Sequence, residues 1–159
     1  IEKFDVSAAT GGISIAVFAA AMATIRFVAD KVVAKRGRIF VIRTGSALAG
    51  VGVALALIMP AIQLSWLGWA IAGVGISAVV PQCMAFASDI GSKENQGRNL
   101  AKVVGLTYAG VLGGPAVIGF IGNAVGLQSA LILGIVLAAF VAGGSIAMQK
   151  GEQKYGETI

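Results

Sequence analysis

The chain has 159 residues, of which 57% are hydrophobic and only 12% charged, with 23 glycines and a net charge of +5; its mean hydropathy is +0.90. Soluble domains carry roughly 25% charged residues. Two long stretches, Thr44 to Ser88 and Val103 to Gln149, contain no charge, whereas each helix of a soluble bundle needs a polar face, so water is excluded as the main solvent of this fold. The basic excess does not point to a nucleic acid partner, because Lys and Arg sit in short runs between apolar stretches, where membrane proteins place them for orientation. Histidine is absent and Cys83 is the single cysteine. No internal disulfide can form, and the usual zinc and Ser/His/Asp constellations cannot be assembled. Neither a metal site, a cofactor nor an enzyme is therefore expected.

A helix needs about 20 apolar residues to cross the hydrocarbon core. In chain order, five segments satisfy this: roughly Val6 to Ala29, Ile39 to Ile62, Leu64 to Ala87, Val103 to Val125 and Leu127 to Met148, with a tail over 149–159. They are apolar all round and rich in Ala, Leu and Gly, without the ten-residue alternation of barrel strands. The expected fold is all-α, a polytopic transmembrane bundle of about five spans. No basic run followed by a short apolar core marks a signal peptide. The chain opens on Ile1 and not on Met, so it reads as a piece of a longer protein.

Orientation follows from Lys and Arg near the span ends. The first connection carries Arg26, Lys31, Lys35, Arg36, Arg38 and Arg43; the third carries Lys93, Arg98 and Lys102; the tail carries Lys150 and Lys154. The connections around Gln63 and around Gly126 are uncharged, so eleven of the twelve basic residues share one side and Lys3 stands opposite. The basic side is expected to be cytoplasmic, with the amino end outside and the carboxyl end inside. The short silent connections make spans two and three, and spans four and five, antiparallel neighbours. Trp66 and Trp69 open span three where indoles favour the interface.

Within the spans, Gly110/Gly114, Gly122/Gly126 and Ser46/Gly50 have the small-xxx-small spacing of helix packing grooves. Pro81 and Pro115 remove backbone donors inside the membrane and are expected to break or bend spans three and four. Ser77 and Gln82 lie near the first, and Thr107 and Tyr108 precede the second. Polar groups beside broken helices are candidate cavity contacts.

The run Arg26-Phe-Val-Ala-Asp30-Lys31-Val-Val-Ala-Lys35-Arg36-Gly37-Arg38 places one acid inside a basic connection. Asp30 can pair there with Arg36, Arg38 or Arg98, or face a helix N-terminus, and so hold two segments together. This run resembles the signature loop of the major facilitator superfamily, Gly-x-x-x-Asp-Arg-x-x-x-Arg-x-Gly-Arg, which recurs in degenerate form between that family's eighth and ninth helices. Asp30, Lys31, Arg36, Gly37 and Arg38 match its core. Arg26 replaces the opening glycine, and the spacing to the second basic cluster is slightly expanded. Gly73 to Pro81 and Thr107 to Phe120 are similar to the tenth and eleventh helices of bacterial permeases of the fucose-permease-like and sugar-efflux-like branches.

The resemblance implies helices eight to twelve of a twelve-helix transporter, with an alternating-access mechanism and a cytoplasmic gating loop at Asp30. It further implies a cavity lined by Ser77, Gln82, Thr107 and Tyr108, with Ser14 and Thr24 behind them. The implied partners are the lipid bilayer, a sugar or other neutral polar solute, and a missing N-terminal half. A small non-transporting membrane scaffold or assembly subunit is the competing reading.

Overall fold

The computed structural model describes residues 7–89 and 93–156. Lys3 and Val6 lie outside them, as do residues 157–159 and the side chains of Lys93, Lys150 and Lys154. The described elements are helices α1 (Ala8–Arg36), α2 (Arg38–Ile58), α3 (Ile62–Ile76), α4 (Val79–Asp89), α5 (Lys93–Val125) and α6 (Leu127–Gly156). Together α3 and α4 make the third of five segments long and apolar enough to cross a membrane.

Each boundary has a local cause. Ser7 caps α1, its Oγ accepting the Thr10 N–H at 3.2 Å, which satisfies one of the orphan donors of the first turn. The helix then runs past its expected end at Ala29, through the basic segment, to Gly37. That glycine turns the chain with φ +81°, a conformation side chains with a Cβ rarely adopt. Lys35 and Arg36 occupy the last turn of α1, where cations complement the negative end of the helix dipole. Gly126, with φ +89°, makes the same kind of one-residue elbow between α5 and α6.

Helix α2 stops at Ile58 instead of Ile62 because of Pro60. Met59 is held at ψ 136°, the extended conformation imposed on a residue before proline. Pro60 has no N–H to give the Ala56 carbonyl, and the buried Ser65 hydroxyl of α3 donates to that carbonyl instead, at 2.9 Å. A backbone group stranded inside the membrane is thus satisfied across the hairpin.

The centre of the bundle is the α2–α3 contact. Gly45, Ala49, Gly52 and Ala56 on α2 repeat the spacing of Gly68, Ala72, Gly75 and Val79 across the α3–α4 span, and the two helices run antiparallel. A Cβ added to Gly52 would lie 2.7 Å from the Gly68 carbonyl oxygen, and one added to Gly45 would lie 2.6 Å from that of Gly75. Both are closer than any real Cβ contact, so backbone lies directly on backbone. Helix α1 approaches α3 in the same way at Gly73, where a Cβ would sit 3.3 Å from the Met22 nitrogen.

Helix α6 covers the other side of α2. A Cβ at Gly50 would lie 3.2 Å from the Ala138 Cβ, and Ser46 and Ser145 are fully buried. Ser46/Gly50 is therefore a packing groove, as its spacing predicts. The other two expected grooves are not filled in this way. Nothing lies within 4 Å of a Cβ at Gly110 or Gly114; Gly126 serves as a turn; and Gly122 makes ordinary contact at 3.6 Å with Leu127 beyond that turn.

Helix α5 packs along α4 and α6, yet none of its most apolar stretch is buried, against 39% for the α2 and α3–α4 spans. Leu112 and Phe120 are each 78% exposed, and so much bare apolar surface requires lipid or further protein around it.

Gly52→Ala is expected to force α2 and α3 apart, costing about 1–3 kcal/mol and lowering the apparent melting temperature in detergent by about 3–10 °C. Gly134→Ala, where nothing lies within 4 Å, is expected to leave it unchanged.

Candidate functional site

Two groups of residues singled out by sequence occupy distinct parts of the bundle. The first is the charged rim where α1 meets α2. Arg26, Asp30 and Lys31 lie on the last turns of α1, all exposed, so the expected loop is helix up to the Gly37 elbow. Past the elbow, Arg36 stacks over the Phe40 ring with its guanidinium carbon 5.6 Å from the centroid.

Asp30 makes no ion pair among the described residues. Arg38, one of its expected partners, instead donates to Asp89 at 2.6 Å. The physical reason is placement: Asp89 ends α4, a helix packed against α2, whereas Asp30 lies on an exposed face of α1. A carboxylate at a helix C-terminus opposes the dipole, and the guanidinium of Arg38 offsets this. Asp89 is a residue that the sequence reading missed. Its signal was available, since it is the first charge after the neutral stretch from Thr44 to Ser88.

The second group surrounds the interruption of the third span. The helix breaks at Ser77 and Ala78, ahead of Pro81, which sits in the first turn of α4. Proline lacks the N–H that would reach Ser77, and its ring excludes the carbonyl four residues earlier, so the break falls there and not at the proline itself. The chain resumes with the Gln82 N–H donating to the Ala78 carbonyl at 3.1 Å.

Ser77 is 4% exposed, and its hydroxyl donates to the Val74 carbonyl at 2.9 Å. Gln82 is half-buried on α4, beside α5. On α5, the half-buried Thr107 donates to the Val103 carbonyl at 2.8 Å, and Tyr108 is 64% exposed. The fold thus sets Gln82 on one helix and Thr107 and Tyr108 on its neighbour, while the Ser77 hydroxyl is turned inward on its own backbone. Thr24 does the same, donating to Ala20 at 2.8 Å. The second expected break is not observed, because α5 runs uninterrupted through Pro115.

A cavity of about 820 Å³ lies at the end of the bundle opposite the charged rim. It opens between the first turns of α1, the α2–α3 hairpin and the Gly126 elbow, and its lining includes Ser14, Phe18, Ser65, Trp69 and Gln128. Of the sequence candidates only Ser14 reaches it; Ser77, Gln82, Thr107 and Tyr108 do not. Among the described residues no group of three or more His, Cys, Asp or Glu side chains is placed to hold a metal ion.

The model of the Major Facilitator Superfamily matches residues 1–149. An uncharacterized MFS-type transporter of Yersinia pestis is 35% identical over 117 residues, covering 72% of this chain and 30% of that protein. Membrane protein MosC of Rhizobium meliloti is 31% identical over 152 residues, covering 92% of this chain and 36% of MosC. The chain spans about a third of the length of these relatives. No solved structure matches it. Five membrane-spanning helices, a charged elbow ending the first of them and a family match over nearly the whole length agree: the chain belongs to the major facilitator superfamily.

Proposed function

We propose that this chain supplies helices eight to twelve of a twelve-helix permease that moves a small solute across the bacterial inner membrane by alternating access. The observation that carries this reading is the family match, combined with a charge pattern in which the Gly37 elbow, the α4–α5 connection and the tail share one basic side. That side is cytoplasmic by the distribution of Lys and Arg, which sets the amino end of α1 outside, as an eighth helix requires. The relatives' greater length supports further spans supplied by the rest of the polypeptide, with which the bare face of α5 would pack. The competing reading of a five-span scaffold leaves the family match and the transporter relative without explanation.

In this reading α4 and α5 line the central path, and Gln82, Thr107 and Tyr108 offer neutral hydrogen-bonding groups to an uncharged polar solute such as a sugar, near the buried Ser77. The Asp30 segment, with Arg26, Lys31, Arg36, Gly37 and Arg38, forms the cytoplasmic gate. Within it, Arg38 and Asp89 tie α2 to α4 and hold the rim of this half together as the two halves rock. Proton coupling, if present, draws on a carboxylate elsewhere in the protein, since the acids Asp30, Asp89 and Glu94 lie at the ends of the spans and not within them.

A transport screen on the full-length protein tests these roles. Gln82→Ala is expected to raise KM about tenfold, the loss of one hydrogen bond to solute, with little change in maximal rate. Asp30→Asn is expected to lower turnover while binding is retained. Wild-type kinetics in both variants would refute the assignments.

Arg38 and Asp89 are 28% and 60% exposed, so their pair contributes no more than about 1 kcal/mol to stability. Arg38→Asp should therefore leave the melting temperature nearly unchanged yet slow transport. The exchanged pair, Arg38→Asp with Asp89→Arg, should recover the rate; if it does not, the tie has no part in gating.

A further inference from the structure

The outward stripe of α2 contains an arginine. Phe40, Arg43, Thr44, Ala47, Leu48 and Val51 are all exposed, and at helical spacing they share one face of α2, whose Ala47 and Val51 edge borders α6. Leu48 and Val51 belong to a membrane span and are 40% and 54% exposed, so this face offers apolar surface to lipid. Arg43 lies five residues inside the helix, about 7 Å along its axis from Arg38, on the same face. A guanidinium facing hydrocarbon is costly, and the long side chain relieves that cost by reaching back to the headgroups.

Phe40 stands one turn before Arg43, and Arg36 is already held over its ring at 5.6 Å. One guanidinium thus stands over an exposed aromatic ring, and a second arginine follows that ring by one turn of the same helix, near the basic end of the span. Neither is neutralised by a carboxylate among the described residues, because the ion pair formed at this rim joins Arg38 and Asp89.

We propose that Arg36, Phe40 and Arg43 form a binding site for the headgroup of an anionic phospholipid, with the phosphodiester held between the two guanidiniums and the first acyl methylenes lying on Phe40, Leu48 and Val51. The chemistry fits at each point. Arginine presents a planar fork that grips phosphate through paired hydrogen bonds. The one-residue elbow at Gly37 joins α1 directly to α2, so Arg36 is set over Phe40, one turn from Arg43, without a flexible loop. The exposed aliphatic stripe below them receives hydrocarbon and nothing polar. Lys35, exposed on the same elbow, adds to the positive field around the headgroup. The site does not depend on which solute the protein moves.

The test uses the full-length protein in a non-ionic detergent, incubated with equimolar phosphatidylglycerol and phosphatidylcholine of identical chains, with retained lipid counted by native mass spectrometry. Wild type is expected to retain phosphatidylglycerol preferentially. Arg43→Gln should reduce that preference about fivefold, the factor for one Lys or Arg at an anionic membrane surface, and Arg36→Gln, at the elbow, should do the same even if Arg43→Gln yields no folded protein. Lys102→Gln removes an equal charge from an exposed position on α5 and should leave the preference intact. Soluble glycerol phosphate should not displace the lipid, because it has no chains to lie on Phe40. An unchanged preference in both arginine variants, an equal loss in Lys102→Gln, or displacement by glycerol phosphate would each overturn the proposal.

Discussion

Everything in this bundle is arranged around the antiparallel contact of α2 and α3. In lipid, apolar side chains gain little by leaving one hydrocarbon environment for another, so helices associate through close backbone packing and a few internal hydrogen bonds. Glycine at Gly45, Gly52, Gly68 and Gly75 lets the two backbones touch, and the alanines between them fill the remaining space. Helix α1 is laid on α3 through Gly73, and α6 on α2 through Gly50. The outer helices inherit their positions from the central pair.

The same constraint explains how the structure treats its prolines. A backbone carbonyl without a donor is costly in a membrane, and the chain meets that cost differently each time. Ala56, stranded by Pro60, is capped by Ser65 from the next helix, which also pins the α2–α3 hairpin. Ser77, opposite Pro81, lies at an outright interruption whose following turn is restarted by Gln82. Pro115 is carried within a continuous helix on the bare side of the bundle. The interruption falls where α4 begins, one turn before Gln82, on a helix that packs against α5.

Among the described residues, charge is confined to one end. The elbow at Gly37 is a single residue, so the basic segment of α1 is a rigid extension of a span and not a loose loop. The rigidity separates neighbours that sequence spacing would pair: Asp30 is left on the outside of α1, while Arg38, just across the elbow, is turned toward Asp89. It also sets Arg36 against Phe40.

The sequence by itself determined the solvent, the helical class, the approximate spans and the side on which the basic residues gather, because hydropathy and charge are properties of each segment alone. It also carried the family resemblance, since Asp30, Lys31 and the Arg36-Gly37-Arg38 cluster are contiguous in the chain. What only the tertiary structure decided were the relations between segments. Small-residue spacing occurs in almost every span, so it could not say that Gly45, Gly52, Gly68 and Gly75 meet while Gly110 and Gly114 face open space. Nor could it select Asp89 over Asp30 as the partner of Arg38, or set the large cavity beside Trp69 and Gln128 instead of beside Gln82. Those outcomes depend on which face of each helix is turned inward, and in lipid the apolar pattern, uniform around the helix, does not encode that choice.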